Sequence, residues 1–378
     1  MRILFTIIFS ILLLVPSIDA IPNRQDRLRQ TLRSFYARYN RVEGFFAGYQ
    51  LKMEPPRWNG YSVFVQSGYG IQSEAFRWAV GLERIQKKYG FKFSVFDRTA
   101  THDNDMIRTA ENSLFAILYK GDYRDYFRAK NGFSFHGTYT LKPRTYLWGS
   151  LSAYTYVSMP VVTHWSALRT NSRFRDNPAI IPGKIGIFEL GIRYDTRRKV
   201  PRFLNSWHLF ATYERGFREF AYNGLKMGLT RHQKVIWGNQ AFIVQARLAT
   251  RNHTAEQFLF DLGGVSTLRG YGIKEFSGNR MLWASIDYLF RGDIFSRIPI
   301  PASHLFNIVL FADTGWTQTA PRSNSILNGF QNANLTDFKT DIGIALGITE
   351  RLFRLNIARR LDRSNDFLTV SARLFREF

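Results

Sequence analysis

One arginine and two aspartates of the sequence are candidates for a buried ion-pair network. Arg269 stands in the glycine-rich segment Asp261–Tyr271, DLGGVSTLRGY, whose glycines allow the chain to fold back tightly. Asp287 and Asp313 each fall on the polar side of a later segment in which polar and apolar residues alternate. If Arg269 enters the interior that these polar sides face, both carboxylates can accept charge-assisted hydrogen bonds from it. The alternative is an ordinary loop arginine exposed to solvent.

The sequence contains no complete motif for catalysis. The segment Gly264–Leu268 begins like a nucleophile elbow, but it lacks the closing glycine and a following helix. The 7 histidines have no metal-ligand spacing, and no phosphate-binding loop is present in the sequence. We therefore expect a protein that is not an enzyme and that uses no cofactor and no metal.

The segments around these residues alternate with a period of two. The clearest case is 133–141, FSFHGTYTL, where aromatic and aliphatic residues alternate with Ser, His and Thr. Such alternation predicts strands with one apolar and one polar face. Applied along the chain, it predicts strands at 41–52, 60–71, 74–85, 91–101, 132–142, 145–158, 184–195, 205–215, 218–231, 234–250, 279–291, 304–316, 338–348, 352–361 and 367–377.

This strand pattern predicts an all-β fold, a closed antiparallel transmembrane β-barrel. About fifteen strands are found, and single-chain bacterial barrels have an even number, so we predict sixteen in preference to fourteen. An aromatic content of 16% with a mean hydropathy of −0.22 agrees, because a barrel is apolar on its outer face only. A soluble β-sandwich is the alternative, although it would use fewer long strands.

The chain begins with the pattern of a secretory signal. Arg2 precedes the apolar run Ile3–Val15, and the small residue Ala20 follows. Because that run is too short to span a bilayer comfortably, cleavage after Ala20 is favoured over an uncleaved anchor. The predicted domains are the signal peptide at 1–20, a short amphipathic segment at 21–40 and the barrel at 41–378.

The second of these domains is predicted to contain a short N-terminal helix over Asn23–Tyr39, since its apolar residues recur every three or four positions. Two longer interruptions lie within the barrel. The segment Asp103–Lys130 has the pattern of a helical insert or folded loop, and Met159–Pro182 is predicted to be an irregular loop.

Charge and cysteine content narrow the class of protein further. The chain has no cysteine, which excludes a disulfide-stapled fold. Its net charge is +23, and the basic residues are spread along the alternating segments. A polar lumen and anionic lipid headgroups can accept such residues, and nucleic acid is not expected as a partner of an exported chain.

Four motifs resemble the bacterial surface-antigen superfamily of outer-membrane assembly barrels, the relatives of BamA and TamA. The likeness covers at least Gly183 to Phe378. The motifs are Leu268-Arg269-Gly270-Tyr271 after Gly263-Gly264, Phe311-Ala312-Asp313-Thr314-Gly315, Gly278-Asn279 at the start of a strand, and Tyr194-Asp195-Thr196-Arg197.

The resemblance implies a location in the bacterial outer membrane. It also implies that the loop carrying Leu268, Arg269, Gly270 and Tyr271 enters the barrel, where Arg269 pairs with Asp313 and with Asp287, which stands where glutamate is usual. Members of this family that handle client proteins carry periplasmic POTRA modules, which need more room than the sequence before the first predicted strand offers. The chain ends in Phe378, as outer-membrane barrels commonly do, but Arg376 replaces the expected aromatic residue.

The function implied by this resemblance is outer-membrane biogenesis, the insertion or translocation of protein or lipid through a weak seam between the first and last strands. The expected partners are outer-membrane lipid and lipopolysaccharide, with nascent outer-membrane proteins or a separate periplasmic chain as further candidates. The alternative is a passive pore or structural outer-membrane protein, in which the same loop is only a plug.

Overall fold

The structure is a computed structural model that describes residues 34–54, 58–169, 171–197, 205–235, 240–291, 305–322, 325–348, 353–362 and 368–374. The predicted signal peptide, the part of the predicted helix before Ser34, and the terminal residues Arg376 and Phe378 lie outside these ranges.

Sixteen antiparallel strands form one sheet in which each strand pairs with its neighbours in chain order. The prediction of an all-β fold with sixteen strands is therefore confirmed. The strands of this sheet are β1 Phe35–Asn40, β2 Gly44–Met53, β3 Tyr61–Gly70, β4 Ala75–Ile85, β5 Tyr89–Ala100, β6 Phe127–Lys142, β7 Thr145–Ser158, β8 Gly183–Asp195, β9 Ser206–Arg218, β10 Tyr222–Lys234, β11 Ala241–Arg251, β14 Arg280–Phe290, β15 Phe306–Gln318, β16 Lys339–Ile348, β17 Phe353–Arg360 and β18 Thr369–Leu374.

The first strand corrects the prediction of a helix up to Tyr39. Residues Phe35–Asn40 form β1, which pairs with β2 from Phe35 opposite Tyr49 to Asn40 opposite Gly44. Apolar residues at Phe35 and Tyr39 are four positions apart, which fits a helix, but they also lie on one side of a strand. Hydrogen bonding to β2 decides between the two. This strand is the one that the sequence count missed, so the sheet begins before residue 41.

The two interruptions are where the sequence places them. The β5–β6 connection contains the helix α1, Thr109–Tyr119, which ends at Lys120 in the left-handed conformation with φ 65°. In the described part of 159–182 there is neither helix nor strand, as predicted. A short hairpin of β12, Phe260–Leu262, and β13, Phe276–Gly278, lies within the β11–β14 connection.

The long connections 101–126, 159–182, 252–279 and 319–338 all lie at the same end of the sheet, because successive strands are antiparallel. We call it the loop end and the opposite end the turn end. In the described ranges no helix has the length and apolar character needed to cross a membrane.

The faces of the strands agree with a barrel that is apolar outside and packed within. On β16, Ile344 and Leu346 are 37% and 46% exposed, whereas Ala345 between them is fully buried. A Cβ on Gly343 would lie 2.3 Å from the ring of Phe311, so this inward position accepts only glycine. Exposure along this strand therefore alternates with the period of two expected of one outward and one inward face.

The sheet curls until both of its end strands reach α1. On one side the backbone N–H of Tyr39 in β1 donates to Ser113 Oγ at 3.1 Å. On the other side the backbone N–H of Leu374 in β18 donates to Glu111 Oε1 at 2.6 Å. We call the junction between β1 and β18 the seam; in the described residues β1 has β2 as its paired neighbour and β18 has β17.

The facing of β16 predicts how the protein responds to an outward charge. Ile344→Arg should lower the free energy of unfolding by about 2–4 kcal/mol, because its position midway along the strand places the charge in hydrocarbon. Urea unfolding in lipid vesicles measures this change. Leu361→Arg is the control, since Leu361 lies at the loop end beyond β17, is 55% exposed and should cost little. An equal cost at both positions would contradict the assigned faces.

Candidate functional site

The β11–β14 connection folds back into the barrel and buries its arginine. Leu268 is fully buried, and Arg269 and Tyr271 are buried almost as completely. Gly263 and Gly264 make the return possible with φ of +118° and +86°, in the region that favours glycine. A Cβ on Gly263 would also lie 2.3 Å from the carbonyl oxygen of Gly272, so the two sides of this loop approach too closely for any side chain.

Arg269 forms the predicted network with both aspartates. Its Nε donates to Asp313 Oδ2 and its Nη2 to Asp313 Oδ1, both at 2.6 Å, which is the two-pronged geometry of a strong guanidinium–carboxylate pair. The same Nη2 lies 2.8 Å from Asp287 Oδ1 and 3.1 Å from Ser285 Oγ. The guanidinium carbon sits 3.6 Å from the ring centre of Phe311. The structure thus brings Arg269 together with both Asp313 and Asp287.

The strand register brings these acceptors together. Asp313 of β15 stands directly opposite Ser285 of β14, and Asp287 is two residues beyond Ser285 on the same inward face. The period of two therefore presents both carboxylates to the lumen at neighbouring positions. Both carboxylates are buried, so the guanidinium offsets a desolvation cost that each would otherwise carry alone.

The network has two members that sequence reasoning missed. Arg354 of β17 donates from Nη1 to Asp287 Oδ2 at 2.9 Å. Asp341 of β16 is fully buried and stands opposite Asp313 in the ladder. We call Arg269, Asp287, Asp313, Arg354 and Asp341 the Arg269 network. Both missed residues lie on the polar side of alternating segments, a signal that could have found them.

The residues flanking Arg269 attach the loop to the last strands. Gly270 is required because a Cβ there would come within 2.8 Å of the Cβ of Asp341. Its carbonyl oxygen accepts from Thr369 Oγ1 of β18 at 3.0 Å. The hydroxyl of Tyr271 donates to the carbonyl oxygen of Thr340 at 3.1 Å. Leu268 packs in an apolar cluster with Leu262 and the other buried residues Ala249, Tyr271, Met281 and Trp283.

A second ion cluster joins this loop to the one that carries α1. The ammonium of Lys274 lies 2.8 Å from Asp103, 2.6 Å from Asp125 and 3.0 Å from Asp261. Burial by itself lowers the pKa of Lys274, but the three carboxylates outweigh burial and raise it above its ordinary value. The lysine therefore remains charged and holds the two loops together.

The helix α1 supplies a buried acid at the seam. Glu111 is fully buried, accepts from the Leu374 N–H, and also accepts from Nε of Arg373 at 2.9 Å. Arg373 in turn donates from Nη1 to Ser266 Oγ at 3.0 Å, which connects β18 to the Arg269 loop. Sequence reasoning did not identify Glu111 or Arg373, and their separation along the chain offers no local signal.

The motif Tyr194-Asp195-Thr196-Arg197 forms its ion pair internally at the turn end. Arg197 donates from Nη2 to Asp195 Oδ2 at 2.7 Å. This pair caps the end of β8. In this motif, as in the Arg269 network, charge-assisted hydrogen bonds hold chain segments in place.

Comparison with solved structures identifies the fold. The crystal structure of BamA from Haemophilus ducreyi lacking POTRA domains 1–3 matches with a TM-score of 0.54 at 12% identity, over 90% of this chain and 69% of that one. CdiB from Escherichia coli matches with a TM-score of 0.47 at 14% identity, over 89% and 60% of the two chains. CdiB from Acinetobacter baumannii matches with a TM-score of 0.44 at 13% identity, over 89% and 57%.

The chain spans less than two thirds of either CdiB chain. No protein-family model and no curated protein matches this sequence. From the BamA structure, the fold is that of a bacterial outer-membrane β-barrel of the BamA type, as the sequence motifs predict.

Removing either partner of the central pair should destabilise the barrel. Arg269→Ala or Asp313→Ala should each cost about 3–5 kcal/mol of unfolding free energy, because the other member of the pair stays buried after losing its bidentate partner. The double substitution should cost less than the sum of the singles, which is the signature of direct coupling. Urea unfolding of the four proteins in vesicles measures this cycle, and strict additivity would reject the pairing.

Proposed function

We propose that the protein acts in outer-membrane biogenesis, without catalysis, by passing protein or lipid through the seam between β1 and β18. The single observation that supports this proposal is the way α1 occupies the seam. Side chains of one helix bond the outer edges of both end strands, whereas other neighbouring strands are joined by backbone ladders.

A junction of this kind opens at a lower free-energy cost than a strand ladder. Ser113 and Glu111 accept one backbone N–H from β1 and one from β18, whereas β14 pairs with β15 along its whole length from Arg280 to Phe290. Each hydrogen bond contributes about 1 kcal/mol net, and among the described residues fewer bonds link β1 to β18 than link β14 to β15. Displacement of α1 would leave two strand edges free.

Free strand edges determine the partners that we propose. An unpaired edge presents a row of backbone donors and acceptors, which a strand of a nascent outer-membrane protein can complete. An open seam also connects the lumen to outer-membrane lipid and lipopolysaccharide. Delivery of a client by a separate periplasmic chain is part of the same proposal.

A passive pore is the second candidate. The lumen contains a cavity of about 1090 Å³, lined by residues of the middle strands and of the loops that close the loop end. In a pore the Arg269 loop and α1 act as a plug, and the seam stays shut. The two candidates therefore differ in whether the seam must open.

The proposal predicts that a covalent cross-link between α1 and β18 stops the protein from accelerating the folding of a client barrel. Because the chain has no cysteine, Glu111→Cys with Arg373→Cys gives one unique pair, which a reducible bifunctional thiol reagent can join. Proteoliposomes carrying the unjoined pair should accelerate folding of a urea-denatured client barrel, and joining should return the rate to that of empty vesicles. Reduction should restore it.

The control pair is Ser94→Cys with Ser134→Cys, whose hydroxyls lie 2.9 Å apart on two strands that are already paired. Joining this pair should leave the activity unchanged. Undiminished client folding with α1 fastened to β18 would reject the seam route. Absence of acceleration in every form, together with steady single-channel currents, would favour the passive pore.

A further inference from the structure

We propose that the lumen holds a binding site for a multivalent phosphate-bearing anion, formed by Arg193 of β8 and Arg247 of β11 on either side of Phe210. The site lies on strands β8–β11, away from the strands β14–β17 that carry the Arg269 network. It does not depend on the function proposed above.

Strand register places these residues in one row. Arg193 stands opposite Phe210 of β9, Phe210 opposite Gly228 of β10, and Gly228 opposite Arg247. Arg193, Phe210 and Arg247 all line the same cavity in the lumen. With neighbouring strands about 4.8 Å apart, the two arginines are separated by roughly 14 Å of wall. A ligand that meets both must therefore carry more than one anionic group.

Arg247 lacks the close ion pair that a neighbouring lumen arginine has. Arg251, four positions further along the same strand, pairs with both carboxylate oxygens of Glu214. Within the described residues Arg247 has no hydrogen bond or ion pair. Its guanidinium lies 5.2 Å from the ring centre of Trp283, and Asp105, which lines the same cavity, interacts with it only at longer range. Partly buried cations are normally paired, so this arginine is set to receive an anion.

Arg193 likewise has no hydrogen bond or ion pair within the described residues. It is exposed to the cavity, and among the described residues its contact is with the ring of Tyr146 at 5.8 Å. The carboxylates nearest along the chain are already engaged: Glu189 accepts from Ser150 Oγ at 2.8 Å, and Asp195 pairs with Arg197. The row therefore carries an excess of positive charge facing the cavity.

An aromatic ring occupies the wall between the two cations. The ring of Phe210 covers Gly228, where a Cβ would come within 2.2 Å of it. The indole of Trp148 covers Gly191 on the other side of Arg193. The two positions between the arginines in this row, Phe210 and Gly228, therefore carry no carboxylate. A guanidinium group can form bidentate hydrogen bonds with two oxygens of a phosphate group. We therefore assign phosphate as the anion.

Titration of the folded full chain in detergent with inorganic tripolyphosphate tests the site by calorimetry. Arg193→Gln and Arg247→Gln should each weaken binding by about tenfold or more, since each removes charged hydrogen bonds to the ligand. Arg231→Gln is the matched control, because Arg231 lies on the outer face of β10 over Trp207 and should leave binding unchanged.

A closed sheet stays compact in SDS until it is boiled, so a difference in gel mobility between boiled and unboiled samples verifies that each variant is folded. Arg247→Lys provides a second variant that keeps the charge and should bind at an intermediate level. Absence of binding to the unaltered protein would overturn the proposal. Equal weakening by Arg231→Gln would also overturn it, because binding would then follow surface charge alone. Calorimetry measures anion binding and not client folding. A negative result would therefore reject the binding site without rejecting the proposed function.

Discussion

The buried guanidinium of Arg269 is the constraint on which the rest of this structure depends. A cation removed from water costs several kcal/mol unless partners of opposite charge surround it. Asp313, Asp287 and Ser285 provide those partners because β14 and β15 are adjacent and in register. The loop must therefore lie inside the barrel, and Gly263, Gly264 and Gly270 are glycines because that path leaves no space for side chains.

A fixed Arg269 loop in turn fixes the end of the sheet. Its Gly270 and Ser266 bond Thr369 and Arg373 of β18, and Lys274 joins it to the loop that carries α1. The last strand is consequently held from the lumen side by side chains. Buried ion pairs of this kind specify position more than they add stability. Among the described residues, fifteen strand pairs are joined by backbone ladders, whereas β1 and β18 are linked through side chains of α1.

Sequence periodicity was sufficient for the fold, but the pairing at the centre of the site followed only from the resemblance to the surface-antigen barrels. Alternation located fifteen strands and placed Asp287 and Asp313 on polar faces, and it left open whether Arg269 points into the barrel or into solvent. It missed β1, because six residues are too few to separate a period of two from a helical one. Alternation places Arg354 and Asp341 on polar faces but does not name their partners. Those partners, and the pair of Glu111 with Arg373, depend on which distant segments become neighbours in the folded sheet, which no local pattern contains.

The central claim is that the Arg269 network keeps the loop inside the lumen, and labelling of a buried thiol tests it most directly. Leu268→Cys introduces the only cysteine of the chain at a fully buried position beside Arg269. In folded protein this thiol should resist a membrane-impermeant maleimide, whereas Arg269→Ala in the same protein should make it reactive. Leu168→Cys, 75% exposed on another loop, should react in both backgrounds. Rapid labelling at position 268 with Arg269 intact would contradict the account.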